Sequence, residues 1–567
     1  MSAPKLGASP RLPGQARKHG AALHVPGGML RGFALLATAL LCCAVARAGS
    51  AIAVPAQPAS GVSRLAAPGF RFANPSEAAA QTADNLQLLS PIGLPVSGIV
   101  KATGALAVIE PAAPLSGCTT YTLQRKAPAQ RSVFTTTCSP WSAPVQIDDA
   151  RSARLVDLPA NGVQVAAADD GAFVAVWFQD EAGRRAILAS RFNADTQTWS
   201  PPRAIDQQGP QAGASGIPAI AADPQGRVTV AWFQLVNGRD AIFATQWQGE
   251  AWTPPQRLDS PALPGNATNP QLAADAAGNV TVVWQQPDGR HTGIYAAHWV
   301  RAQRRWLAAR RLDRLPTDAY SPVVAATPGG RVVAAWQQGP SGREAVYAVA
   351  SQASGAHWTA PARISPAGAA ATSPALIATS QGAVMAAWTQ GRTASRRIAV
   401  RQWPGGAGSQ WSAVQILQSP AFTGPASSPA LAADAAGNVT LAWAQQNGAR
   451  REAMLAARRL AASPGWTAPQ QIDDPALRSA GNPVLAVDAA GNVRCAWYQD
   501  GPQGMQVQAA RYNPSQHQWS APEQLSDPEA TVMASFPALA INPAGSVMAV
   551  WQQFNGWRTI VEARWLP

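Results

Sequence analysis

Pro270-Gln271-Leu272-Ala273-Ala274-Asp275-Ala276-Ala277-Gly278-Asn279-Val280-Thr281-Val282-Val283-Trp284-Gln285-Gln286 is the stretch whose reading decides the fold. Val280, Val282, Trp284 and Gln286 fall on one face and Thr281, Val283 and Gln285 on the other, the period of a β-strand. Residues 270–274 make a preceding strand, and residues 275–279 a tight turn between the two. There the Asp275 carboxylate can accept backbone N–H bonds while Gly278 supplies a positive φ. A turn at residues 287–290 leads to a third strand at 293–299, and a fourth follows at 306–312.

The same unit occurs eight times. Its tryptophans are Trp177, Trp232, Trp284, Trp336, Trp388, Trp443, Trp497 and Trp551, spaced 52 to 55 residues apart. A Gln stands two positions after each and a Gly six positions before each. Repetition at this period means an array of equivalent supersecondary units. The fourth strand has its own signature, Trp-Ser/Thr-x-Pro-x-x-Ile/Leu, at Trp199, Trp252, Trp358, Trp411, Trp466 and Trp519. Proline cannot donate to a ladder, so this strand belongs at an edge. The expected fold is all-β: an eight-bladed β-propeller of four-stranded blades, the tryptophans packing one blade on the next.

The last copy ends at Pro567, just after its third strand. The missing element stands upstream of the first copy, as Trp141-Ser142-Ala143-Pro144-Val145-Gln146-Ile147. The N-terminal strand is therefore expected to complete the last blade and cover an edge otherwise left open.

Four segments follow along the chain. Residues 1–48 read as a signal peptide: basic residues, a short apolar run from Phe33, then Ala46-Arg47-Ala48 in small-x-small form. Met29 is an alternative start. Residues 49–84 read as a flexible Ala/Pro-rich leader, residues 85–140 as a small disulfide-containing β segment or cap (or a degenerate extra blade), and residues 141–567 as the propeller. Export would place the protein in the periplasm or outside the cell, where Cys118 and Cys138 are expected to form a disulfide. Cys495 reads as a buried thiol.

The formal charge is +13. Residues 1–48 hold six Lys/Arg and no acid, so the remainder carries +7. Nothing in that balance implies nucleic acid as a partner, and no apolar run beyond the N-terminal region is long enough to span a membrane. No metal-spaced His/Cys cluster and no cofactor motif occurs. No catalytic residue is singled out, and a monomer is expected.

Gly-Arg pairs recur in the turns between second and third strands, making Arg184, Arg239, Arg290, Arg343 and Arg392 the candidate ligand-binding residues. A ring of guanidinium forks could hold carboxylate, phosphate or sugar hydroxyls; equally, each Arg could simply solvate its turn. Third strands carry Arg191, Gln246, His298, Gln402, Arg458, Arg511 and Arg564, mostly beside an aromatic, a pairing that suits a pyranose or an outer strand facing water.

The Asp-Ala-Ala-Gly-Asn-Val…Trp-x-Gln repeat with its Trp-Ser/Thr-x-Pro strands resembles secreted bacterial β-propellers related broadly to the sialidase-like superfamily. The resemblance spans residues 141–567. The Asp box of sialidases is absent, and their arginine triad and Tyr/Glu pair have no counterpart by motif. A looser similarity is to fucose-binding propeller lectins. The reading that follows is an exported non-enzymatic binding protein with a glycan or protein ligand on its loop face. A glycoside hydrolase with its site in the inter-blade loops, and a structural surface scaffold, are the alternatives.

Overall fold

The computed structural model describes residues 52–148 with several interruptions, and residues 162–567 apart from short segments including 169–170, 209–211, 353–356, 449–450, 528–532 and 555–557. The proposed signal peptide, Cys118 and Cys138 lie outside the described residues. The chain divides into two compact units, Met1–Cys138 and Ser139–Pro567.

In the first unit the described residues form two four-stranded sheets and one short helix, Pro75–Ala79. Phe70, Phe72, Leu86, Leu88, Ile109, Tyr121 and Leu123 make its core. Phe70 and Phe72 come from the stretch read as leader, and Leu123 from the stretch read as cap, so one core draws on both.

In the second unit the described residues form eight antiparallel sheets, seven of them built from consecutive strands paired in chain order. The third sheet is typical: Thr268–Ala274 pairs Val280–Pro287, which pairs Thr292–Val300, which pairs Arg305–Trp306. The eighth differs. Ala534–Ile541, Val547–Phe554 and Thr559–Leu566 are consecutive, but the fourth strand is Val145–Gln146, with Gln146 opposite Glu562 and Val145 opposite Ala563.

All eight repeat tryptophans are fully buried. Each packs against the preceding sheet: Trp232 joins Val174 and Val176, and Trp284 joins Ala231 and Ile242. Trp177 of the first sheet joins Ala538, Val550 and Val561 of the eighth. The invariant Gln has a physical reason. In every sheet its Oε1 accepts the indole N–H of the tryptophan two residues earlier, as from Trp336 to Gln338 at 2.9 Å and from Trp388 to Gln390 at 2.7 Å. Its amide then donates to carbonyls entering the same sheet, Thr317 O for Gln338 and Ala370 O for Gln390. An apolar interface can thus bury an indole without orphaning its donor.

The first strands carry a bulge that the sequence pattern does not announce. Ile217, Asn269, Ser321, Ser373, Ser428, Asn482 and Phe536 all have φ between 43° and 57°. Each directly precedes a proline, and the ladder shifts register at the same place. The bulge places the proline, which lacks an N–H, where the ladder is already interrupted.

Candidate functional site

The strand-to-strand turns divide between the two ends of each sheet. Turns joining first to second and third to fourth strands lie at one end; turns joining second to third strands and one sheet to the next lie at the other.

The five candidate arginines occupy the second kind of turn, and the structure separates them. Arg184 reaches Asp206 at 2.5 Å, and the Asp206 side chain is fully buried. Arg239 donates to Leu263 O at 2.6 Å and to Pro261 O. Arg290, Arg343 and Arg392 are exposed. Arg451 and Arg558, in the equivalent turns of the sixth and eighth sheets, pair with the buried Asp473 and Asp148. The aspartate closing the fourth strand also accepts a backbone N–H of the third, as Ile242 N to Asp259 and Met454 N to Asp473. Arg451 and Arg558 thereby neutralise carboxylates that also accept a ladder N–H, from Met454 and Val561, while Arg184 neutralises Asp206, which accepts from Ser215.

Of the third-strand polar residues, His298 and Arg458 are drawn inward, Arg191, Gln246 and Gln402 are half-buried, and Arg511 is exposed. His298 is buried and bonds Thr281 Oγ1 at 2.8 Å; burial pushes its ring below the ordinary histidine value, while Asp275 opposes that shift. Arg458 is buried, pairs with Asp434 at 2.5 Å and lies 4.9 Å over the Tyr512 ring. Arg564 is out of register with this set: Trp565, opposite Met548, takes the place that Arg191 holds opposite Val174. The Cys495 thiol is fully buried, and burial pushes its pKa up.

One carboxyl group escapes this pattern, and motif reading does not find it. Glu562 stands directly across the ladder from Trp551. The residues at that position in the other seven sheets are Leu188, Phe243, Tyr295, Tyr347, Ala399, Leu455 and Gln508. None of them is charged. Glu562 is mostly buried, and its Oε2 has no hydrogen-bond partner among the described residues. Burial, then the negative charge of Asp527, push its carboxyl up to about 7, against the opposing pull of Arg564. Asp148, which adds a smaller push, ends the completing strand; burial raises its own pKa although Arg558 lies 3.1 Å away. Aligning the eight copies strand by strand, rather than by their conserved residues, exposes Glu562 as the departure.

Two clefts open at the other end of the sheets. One, of about 540 Å³, is lined by Arg191, Arg227, Arg301, Arg304, Asp223, Trp247 and Trp299 among others. The second, of about 750 Å³, lies between the fourth and fifth sheets and contains Trp358, Trp403, Trp411 and His357. Among the described residues no cluster of His, Cys, Asp or Glu could hold a metal ion, and no helix is long and apolar enough to cross a membrane.

No family model matches the chain, and no curated protein matches it. Solved structures do. A polysaccharide lyase described as an ulvan lyase is 11% identical, covering 65% of this chain and 96% of its own, with a TM-score of 0.39. The α-L-arabinofuranosidase of Fusarium graminearum is 12% identical over 67% and 99%, with a TM-score of 0.40. The NanB sialidase of Streptococcus pneumoniae is 11% identical over 82% and 75%, with a TM-score of 0.34. These are glycan-processing enzymes, where the sequence led to the expectation of a non-enzymatic binding protein. At this level of similarity they assign no activity to this chain.

Proposed function

We propose that residues 141–567 form an eight-bladed propeller closed by the strand Val145–Gln146, and that this propeller hydrolyses glycosidic bonds with Glu562 as proton donor. The closed ring is supported by the pairing of Gln146 with Glu562 and by the packing of Trp177 on Val550. Export directed by residues 1–48 is part of the same proposal.

Glu562 carries the enzymatic reading. Glycoside hydrolysis needs one carboxyl group protonated at neutral pH, to deliver a proton to the departing sugar oxygen, and a second that is ionised. A carboxyl pushed up to about 7 by burial suits the first role. Asp527, whose charge acts on Glu562, is the candidate for the second. It lies half-buried at the turn leading from the seventh sheet to the eighth.

The test is turnover. A panel of aryl glycosides and polysaccharides is incubated with the full chain, and aglycone or reducing ends are measured across pH 4–9. Hydrolysis with an alkaline limb near pH 7, where Glu562 loses its proton, abolished or lowered by about 10²-fold or more in Glu562→Gln, is the expected result. A folded protein that turns over no member of the panel overturns the reading and leaves the structural scaffold in its place.

A further inference from the structure

We propose that the cleft spanning the first three sheets binds an anionic polysaccharide, one bearing uronate or sulfate groups. Four guanidinium groups, from Arg191, Arg227, Arg301 and Arg304, line it against the single carboxylate of Asp223, a formal excess of +3. Trp247 and Trp299, both half-buried, supply aromatic surface in the same cleft. Arginine forks match carboxylate and sulfate oxygens, and an indole face packs the apolar face of a pyranose. The volume of about 540 Å³ is that of a small-molecule site.

The cleft is assembled rather than left over from packing. Gly278, at φ 80°, leaves room for Arg227, Asp223 and Arg301 to converge: a Cβ there would lie 2.3 Å from Arg227 Nη2, 2.7 Å from Asp223 Oδ2 and 3.0 Å from Arg301 Cδ. Asp223 holds Arg227 at 2.5 Å and so fixes one guanidinium. Arg301 and Arg304 are exposed and have no side-chain hydrogen bond or ion pair among the described residues.

The charge is also a departure from the repeat. Counting three residues past the aligned third-strand position of Arg191, Gln246 and His298, the first, second, fifth, sixth and seventh sheets place Ala194, Gly249, Gly405, Ala461 and Pro514 where the third sheet has Arg301. Arg304 occupies a left-handed position at φ 49°, which Gln197 and His517 fill in the first and seventh sheets. The fold accepts uncharged residues at both places. The cleft between the fourth and fifth sheets keeps the tryptophans but has a single arginine, Arg331. Folding therefore does not require the arginines of the first cleft.

This inference does not rest on Glu562, whose acidic neighbours belong to turns at the opposite end of the sheets. The experiment is affinity electrophoresis and calorimetry of the full chain with polygalacturonate, with a neutral glucan and with polyglutamate as a non-sugar polyanion. Arg301→Ala combined with Arg304→Gln installs the residues of the first sheet and leaves the fold intact. Polygalacturonate is expected to bind, about tenfold or more weaker in the double variant and within about twofold of wild type in Arg310→Ala, an exposed arginine outside the cleft. The glucan is expected to bind at least about tenfold more weakly than the uronate. Absence of uronate binding, equal binding of polyglutamate, or an equal loss in Arg310→Ala overturns the proposal.

Discussion

The indole N–H of Trp141 donates to Glu523 Oε1 at 2.7 Å, joining residues 382 positions apart in sequence. Trp141 precedes the strand that completes the eighth sheet, and Glu523 belongs to the seventh. Around them Trp141 packs with Val507, Leu525 and Leu566 and is only 1% exposed. The fourth-strand tryptophans Trp199, Trp252 and Trp519 are more exposed. Trp141→Ala should therefore lower unfolding free energy by about 3–5 kcal/mol, and Trp252→Ala by clearly less. Denaturant titration of the two variants checks the order.

Arg184 and Asp206 make a second, different prediction. Removing the arginine strands a buried carboxylate, so Arg184→Ala should destabilise by about 2–4 kcal/mol. Arg343→Ala and Arg392→Ala, at exposed positions of the equivalent turns, should change stability by less than about 0.5 kcal/mol. Equal effects at the three sites would refute the structural role of the Arg184 pair.

Glu562 sets a pH dependence whose sign is fixed. Its folded-state pKa, about 7, lies above the ordinary value of 4.5. The folded protein binds more protons than the unfolded chain between those values. Its contribution to stability is thus fully present below about pH 4.5 and lost as pH rises through 7, by about 3 kcal/mol in all. Glu562→Gln should flatten that slope and stabilise the protein at pH 8, as thermal melts across pH would show.

Ile217 is a β-branched residue at φ 43°, whereas Asn or Ser fills the same pre-proline position in five other sheets. Left-handed backbone costs a β-branched residue about 1–2 kcal/mol more than it costs Asn. Ile217→Asn should accordingly raise the melting temperature by a few degrees. A fall would mean that packing of the Ile217 side chain outweighs its backbone strain.

Legibility in the sequence tracks the range of the interaction responsible. The repeated Trp, Gln and turn Gly act within a single sheet, so their spacing alone discloses strands, turns and repeat number. The completing strand was legible because its Trp141–Ile147 motif is missing from the opposite end. The left-handed residues were not, since a residue before proline is ordinarily extended, and only the bulge between two strands explains Asn269 or Ser321. Arg184 was read as a ligand-facing residue because its partner Asp206 stands 22 positions on, across a turn. Glu562 required knowing which residue faces each repeat tryptophan, a matter of ladder register.

The pairing of Val145 with Ala563 also orders events in time. The backbone N–H of Val561 bonds Asp148 across 413 residues. A ribosome must therefore release nearly the whole propeller before its earliest strand can find its place. Contacts of such long range are slow to form, and the seven self-contained sheets can assemble while that strand waits. The rate-limiting step of refolding should be this final docking, and a nascent chain held short of Thr559 should remain open to proteolysis at its first-made end.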